Sequence, residues 1–120
     1  MADIQSLKDA LAVSPDNLPL LLLLGRAYLD NFQFIEARET LERALKLEPG
    51  NPDARTQVAQ LLEFEGKSSE AILRLEQVSS EHPDYAPAWF LRSRLALVEN
   101  DGKGARECYE RAIELDPHLE

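Results

Sequence analysis

The nine-residue stretch "KLEPGNPDA", Lys46 to Ala54, separates two runs of helical apolar spacing. Its centre, residues 48–52, reads Glu-Pro-Gly-Asn-Pro. Proline lacks a backbone N–H and disfavours helix in the residue before it. Glycine and asparagine tolerate the left-handed backbone of tight turns. The stretch therefore predicts the end of one helix and the start of the next.

The same kind of break recurs with a period of 34 residues, since prolines stand at positions 15, 49, 83 and 117. Three further sets of residues share this spacing: Gly25, Ala59 and Ser93; Ala37, Ala71 and Ala105; Leu41, Leu75 and Tyr109. Turn-forming residues lie midway between the prolines, at residues 30–31, 65–66 and 100–102. Each period therefore predicts two antiparallel helices of roughly 12 to 15 residues, and no period-two alternation predicts a strand.

Composition limits the class of protein. A chain of 120 residues with 44 % hydrophobic content can bury one domain-sized core. The net charge of −9 argues against nucleic acid as a partner, because phosphates would be repelled. The longest leucine run, Leu20 to Leu24, is too short to enter a bilayer as a spanning helix. The single cysteine, Cys108, excludes an internal disulfide, so a reducing, cytoplasmic location is expected.

The repeated unit resembles the tetratricopeptide repeat (TPR), a helix-turn-helix unit of 34 residues. The matching residues are Leu21, Leu24, Gly25, Tyr28, Ala37, Leu41, Ala44 and Pro49 in the first full repeat, and Trp89, Ser93, Ala96, Ala105, Tyr109, Ala112 and Pro117 in the third. The middle repeat matches less well, because Arg55 stands where a large apolar residue is expected. The resemblance implies an all-α, right-handed superhelical solenoid of antiparallel helix pairs.

The repeat register also predicts the organisation of the chain. Residues 18–51, 52–85 and 86–120 are expected to form three repeats of one continuous domain. Residues 1–17 are expected to hold the second helix of an earlier, truncated repeat. Each repeat of such a solenoid buries its apolar face on its neighbour, so the unpaired ends suggest end-to-end association or a longer parent protein.

In this family the first helices of the repeats line a concave groove. The resemblance places nine candidate partner-binding residues there: Leu22, Leu23, Arg26, Gln57, Gln60, Phe64, Phe90, Arg94 and Leu97. Their chemistry suits a peptide, with arginines for a carboxylate, glutamines for backbone amides and Phe90 as an apolar anchor. Ordinary packing of these side chains is an equally weighted alternative.

Some members of the family hold the acidic tails of heat-shock chaperones in a two-carboxylate clamp of lysines, asparagines and an arginine. The matching positions here are Leu22, Arg26, Gln57, Pro87 and Leu91. Among them only the Arg26 side chain can hold a carboxylate, so the clamp is not predicted.

The sequence offers few groups for catalysis. His82 and His118 each lie beside a proline in a predicted turn, where solvated histidines are commoner than metal ligands. Cys108 has no histidine at a fixed spacing, which favours a structural thiol over a nucleophile. The glutamates follow polar helix faces, and a glycine-rich phosphate loop is missing. We therefore expect no catalytic residue, no metal site and no cofactor.

The resulting hypothesis is a non-catalytic interaction module or scaffold that binds a protein or peptide segment in the groove, without nucleic acid or membrane insertion. Two alternatives stay open. One is a self-assembling scaffold, a homo-oligomer that stacks through its terminal helices. The other is a regulatory TPR segment of a larger enzyme such as an ATPase.

Overall fold

The computed structural model describes residues 3–119 and places seven α-helices in that range. They are α1 (Ile4–Val13), α2 (Leu18–Asp30), α3 (Phe34–Leu47), α4 (Pro52–Phe64), α5 (Ser68–Glu81), α6 (Ala86–Val98) and α7 (Gly102–Leu115). Within this range no residue has strand geometry, so the predicted all-α class is confirmed. None of the described helices combines the length and apolar character that a bilayer crossing requires.

The helices follow the 34-residue register. The first helices, α2, α4 and α6, begin at residues 18, 52 and 86, and each contains 13 residues. The second helices, α3, α5 and α7, begin at residues 34, 68 and 102, and each contains 14 residues. The helix predicted before the first full repeat is α1; Ala2, its expected first residue, lies outside the described residues.

Asparagine side chains cap the helices that follow the first two breaks. The Asn17 side chain accepts a hydrogen bond from the backbone N–H of Leu20 at 3.1 Å. Asn51 accepts one from the backbone N–H of Ala54 at 2.8 Å, and Pro52 is the first residue of α4. A capping side chain satisfies one of the N–H groups that lack a helical acceptor, and proline has no such group to leave unpaired.

The chain divides into two compact units, unit 1 (Met1–Leu61) and unit 2 (Leu62–Glu120). In unit 1, α1 packs on α2 and α2 packs on α3. The buried cluster of unit 1 contains Leu7, Leu11, Leu21, Leu24, Tyr28, Leu29, Ala37, Ala44, Ala54 and Leu61. Leucines from α1 and α2 supply most of its apolar volume, while alanines of α3 allow the close approach of neighbouring helices.

Unit 2 is built in the same way, with α5 packed on α6 and α6 packed on α7. Leu75 and Val78 of α5, Leu95 of α6 and Ala112 of α7 are fully buried. These residues occupy the same register positions as buried residues of unit 1, namely Leu41, Ala44 and Leu61. The sequence repeat is therefore also a repeat of packing positions.

The turn inside each hairpin contains one residue in the left-handed region. These residues are Phe32 at φ 58°, Gly66 at φ 79° and Asn100 at φ 60°, again 34 residues apart. Glycine adopts this backbone without strain and asparagine adopts it readily, whereas a bulky side chain rarely does. Phe32 is therefore the strained member of the three; its exposed ring lies edge to face with Phe34, at 6.2 Å between ring centroids.

We expect Phe32→Gly to raise the free energy of unfolding by about 0.5–1 kcal/mol, because it removes the left-handed strain at little cost in burial. The matched change at the equivalent position, Gly66→Ala, is expected to lower it by about 1 kcal/mol or more, since an added Cβ meets no atom within 4 Å and only the backbone is strained. Urea denaturation followed by circular dichroism measures both changes. If both substitutions change the free energy of unfolding in the same direction, left-handed strain at Phe32 is contradicted.

Candidate partner-binding surface

A depression of about 520 Å³ lies between α2 and the start of α4 in unit 1. Its lining residues are Leu18, Pro19, Leu22, Leu23, Arg26, Asn51, Asp53 and Gln57. We use the name α2 face for the surface formed by Leu18, Leu22, Leu23 and Arg26. The α2 side of the depression is largely apolar and the α4 side is polar, so one wall can take aliphatic groups while the other offers hydrogen bonds.

Arg26 is held in place by a neutral side chain. Its Nη1 donates to Oε1 of Gln60 at 2.5 Å. The nearest acidic oxygen, Oδ1 of Asp30, lies 4.0 Å away, at the outer limit of an ion pair. The Arg26 side chain is 40 % exposed and lines the depression, so N–H donors that Gln60 does not use remain available to a ligand.

Gln57 lines the depression from α4 and is buried. The side chain was expected to offer its amide to a partner, but it is only 1 % exposed. Its Nε2 donates to the backbone carbonyl of Leu22 and to Oδ1 of Asp53, each at 3.1 Å, and thereby joins α4 to α2. Because α4 packs directly against α2, this register position points at the neighbouring helix and supports the wall of the depression.

In unit 2 the predicted partner-binding arginine, Arg94, forms an ion pair within the chain. Arg94 donates through Nε and Nη2 to the two carboxylate oxygens of Glu63, which makes a bidentate ion pair. Phe90 is partly buried and its ring lies 6.2 Å from that of Tyr109. The Arg94 guanidinium therefore has to leave Glu63, or share it, before it can hold a carboxylate of a partner.

The two remaining predicted residues of unit 2 lie at the surface. Phe64, at the last position of α4, is exposed. Leu97 lines another depression of about 270 Å³, together with Ser93, Ala105 and Tyr109. In unit 1, four predicted residues line one depression: Leu22, Leu23, Arg26 and Gln57. A fifth, Gln60, accepts a hydrogen bond from Arg26.

The sequence analysis missed four lining residues of the unit 1 depression: Leu18, Pro19, Asn51 and Asp53. A signal for three of them was present. Leu18 lies one helical turn before Leu22, so it shares the face of α2 that Leu22 occupies. Asn51 and Asp53 flank the first residue of α4, which the proline break had already located.

The single cysteine of the sequence, Cys108, is buried on α7. Burial raises the pKa of the Cys108 thiol, and Arg92 opposes that shift only in part. A thiol with a raised pKa is a poor nucleophile near neutral pH. In residues 3–119, no three histidine, cysteine, aspartate or glutamate side chains come together as a set that could hold a metal ion.

Helical hairpins in a fixed 34-residue register, with a side-chain-lined depression between the first helices α2 and α4, define a helical repeat protein. Tetratricopeptide repeat family models match residues 4–61 and residues 58–120. The chain therefore belongs to the tetratricopeptide repeat family.

A curated relative is the heat-shock protein cognate co-chaperone sgt12 of Aspergillus fumigatus, which is 30 % identical over 95 residues. The match covers 77 % of this chain and 27 % of sgt12. Across three curated relatives the chain spans 8 to 27 % of their length. Their whole-protein activities are therefore not transferred by the match.

Two solved structures illustrate the fold. YrrB, described as a TPR protein with an unusual peptide-binding site, superposes with a TM-score of 0.71 at 25 % identity and covers 97 % of this chain and 60 % of its own. The first TPR of Spaghetti (RPAP3), bound to an HSP90 peptide, superposes with a TM-score of 0.72 at 22 % identity and covers 84 % and 80 %. The chain has the all-α tetratricopeptide-repeat fold that the sequence predicted.

Proposed function

We propose that this chain is a non-catalytic protein-interaction module that binds a peptide segment on the α2 face, in the depression next to α4. The observation that carries the proposal is the depression itself, which combines three leucines with one partly exposed arginine. Peptide binding by YrrB and by the first TPR of Spaghetti supports the general role. The partner is proposed to be a protein or peptide, in keeping with the net charge of −9.

The surface favours a peptide with an aliphatic side chain close to a carboxylate. Leu18, Leu22 and Leu23 offer apolar area that a buried aliphatic group would remove from water. Arg26 is oriented by the neutral amide of Gln60, which positions the guanidinium without cancelling its charge. A carboxylate can accept two parallel N–H bonds from such a guanidinium, which adds geometric specificity to the electrostatic attraction.

The predicted residues of unit 2 are proposed as secondary contacts. Phe64 and Phe90 can supply aromatic surface, and Leu97 can supply aliphatic surface. Arg94 contributes less than Arg26, because a partner carboxylate must compete with the bidentate pair to Glu63.

The proposed ligand is not a chaperone tail held by the family's carboxylate clamp, although sgt12 is a co-chaperone. Three matching positions hold Leu22, Gln57 and Leu91. Gln57 is buried and the two leucines have no N–H donor in their side chains, so none of the three presents a donor to a second carboxylate. One arginine can hold one carboxylate, which suits an internal acidic residue of a peptide as well as a chain terminus.

The test begins with peptides selected from a random phage-displayed library on the full 120-residue chain. Arg26→Ala is expected to raise the dissociation constant of the selected peptide by about tenfold or more. The reason is that a hydrogen bond to a charged group contributes about 1.5–3 kcal/mol. The matched control is Arg74→Ala on α5, since Arg74 is also partly exposed and pairs with an acid four residues away, Glu70 at 3.6 Å. Isothermal titration calorimetry measures both constants.

Equal losses in Arg26→Ala and Arg74→Ala would contradict the proposed site, because a nonspecific loss of positive charge would then explain the effect. Selected peptides without any acidic residue would contradict the proposed ligand chemistry. Unchanged circular dichroism of both variants serves as the control for folding.

A regulatory role inside a longer protein is a second candidate function. This role is favoured because the chain spans only 8 to 27 % of the length of its three curated relatives. In that case the α2 face would bind a segment of the longer protein or of its partner, and the peptide test above applies to it unchanged.

A further inference from the structure

The depression between α2 and α4, called the α2–α4 depression below, has walls of opposite charge. Eight residues line it, and two of them are charged: Arg26 on α2 and Asp53 on α4. Among residues 3–119, no ion pair joins these two side chains. A ligand in the depression therefore meets one cation and one anion that do not neutralise each other.

Each of the two charged groups is held by a glutamine of α4. Nη1 of Arg26 donates to Oε1 of Gln60 at 2.5 Å. Nε2 of Gln57 donates to Oδ1 of Asp53 at 3.1 Å. Both amides are neutral, so they orient the guanidinium and the carboxylate without cancelling either charge. Gln57 is 1 % exposed, so the carboxylate is fixed from inside the protein.

The Asp53 carboxylate keeps one oxygen for a ligand. Oδ1 accepts the bond from Gln57, whereas Oδ2 accepts no hydrogen bond from the residues that the structure describes. Asp53 lies in the first turn of α4, where the helix N-terminus stabilises its negative charge in the absence of a ligand. Because the side chain is half-buried, its attraction to a cation is screened by water less than that of a fully exposed carboxylate.

The repeat fold does not require an acid at this position. The register equivalents in α2 and α6 are two prolines for Asp53 and two leucines for Gln57: Pro19, Pro87, Leu23 and Leu91. The 34-residue packing is therefore kept in the other first helices without this carboxylate. A packing role common to all repeats does not account for Asp53, which favours a role in recognition.

We propose that Asp53 binds a lysine or arginine of the peptide whose acidic residue is held by Arg26; this rests on the proposed function, because it names a second charged group of the same ligand. Gln57 and Gln60, which hold the two charges, are three residues apart on α4, a rise of about 4.5 Å. An extended peptide rises about 3.3 Å per residue, so the basic and acidic residues are expected within three positions of each other.

A peptide with acidic residues alone is a poorer ligand. Its binding would remove water from the Asp53 carboxylate without supplying a cation, and an unpaired charge in an interface costs affinity. The net charge of −9 also repels a purely acidic segment at long range. A peptide with both signs of charge satisfies Arg26 and Asp53 together, so the pair selects for charge order as well as for charge.

The test selects peptides from the random phage-displayed library on the original chain, on Asp53→Asn and on Glu36→Gln, and sequences the three pools. Asp53→Asn removes the charge but keeps an oxygen that can accept from Gln57. Glu36→Gln is the matched control, because Glu36 also lies in the first turn of its helix and accepts a glutamine N–H, from Gln33 at 3.0 Å.

We expect lysine or arginine within three positions of an acidic residue to be enriched about threefold or more on the original chain and on Glu36→Gln, but not on Asp53→Asn. The most enriched peptide of the original pool is then synthesised as the probe for isothermal titration calorimetry. Asp53→Asn is expected to raise its dissociation constant by about threefold to tenfold. A probe whose basic residue is replaced by glutamate is expected to bind Asp53→Lys better than it binds the original chain.

The outcomes separate this proposal from the proposed function. Pools enriched in acidic residues without a basic neighbour would overturn the role of Asp53 and leave the proposed function standing, whereas pools without acidic enrichment would overturn both. Basic enrichment that persists on Asp53→Asn would assign the cation to another acid and overturn the proposal. So would a probe that loses its affinity when its N-terminal amine is acetylated but keeps it when its basic side chain is replaced.

Discussion

Replacing Leu75 with alanine is expected to lower the free energy of unfolding by about 2–5 kcal/mol. Leu75 is 0 % exposed on α5, and it shares its register position with Leu41, which is also fully buried. The substitution removes three carbon atoms from a packed interior and leaves a cavity that the surrounding helices fill only in part. A loss of this size is a large fraction of the total stability of a small domain, about 5–15 kcal/mol.

The matched control for Leu75→Ala is Leu73→Ala on the same helix. Leu73 is exposed, so its replacement is expected to change the free energy of unfolding by less than about 0.5 kcal/mol. Urea denaturation followed by far-ultraviolet circular dichroism measures both variants. Similar losses for the two leucines would mean that the buried face of α5 is assigned to the wrong residues.

Replacing Gly25 with leucine is expected to lower the free energy of unfolding by about 1–3 kcal/mol or more. A Cβ at this position would lie 2.9 Å from Oε1 of Gln57 and 2.9 Å from Cδ2 of Leu41. Both neighbours are held in place, since Leu41 is fully buried and Gln57 donates two hydrogen bonds through Nε2. The rest of a leucine side chain therefore cannot be accommodated without separating α2 from its neighbours.

The control for this substitution is Gly50→Leu in the break before α4. A Cβ at Gly50 meets no atom within 4 Å, so the change is expected to alter stability by less than about 0.5 kcal/mol. Differential scanning calorimetry of the two variants gives the comparison. An equal decrease in Tm for both variants would contradict the crowding account, since only a side chain at Gly25 meets neighbouring helices.

The arrangement of helices was predictable because several independent local signals coincide in each repeat. Proline marks each break, and a small residue such as Gly25 or Ala59 recurs where helices approach closely. These signals depend on backbone geometry and on steric size, which the local sequence specifies directly. The equal lengths of the first helices and of the second helices follow from the constant period.

The turn inside the first hairpin was only partly predictable. Asp30 and Asn31 marked its position, but the left-handed residue is Phe32, a residue type that the rules for turns do not favour. The equivalent positions hold Gly66 and Asn100, which fit the rules. The hairpin geometry that the repeat requires thus overrides the local preference of phenylalanine.

The candidate site was the hardest part to predict, because the role of a side chain depends on which helix covers it. Gln57 and Gln60 both lie on α4 and were given the same role from the sequence. The structure buries Gln57 between helices, whereas Gln60 orients Arg26. The pairing of Arg94 with Glu63 joins residues 31 positions apart and likewise depends on tertiary packing.

Amide chemical-shift mapping of the chain with a library-selected peptide tests the account most directly, since each backbone N–H reports on its own position. We predict that the largest shifts occur on the α2 face, at Leu22, Leu23 and Arg26, and that Gln60 follows through its bond to Arg26. Largest shifts on the second helices α3 and α5, with the α2 face unchanged, would contradict the proposal that this chain binds its partner through its first helices.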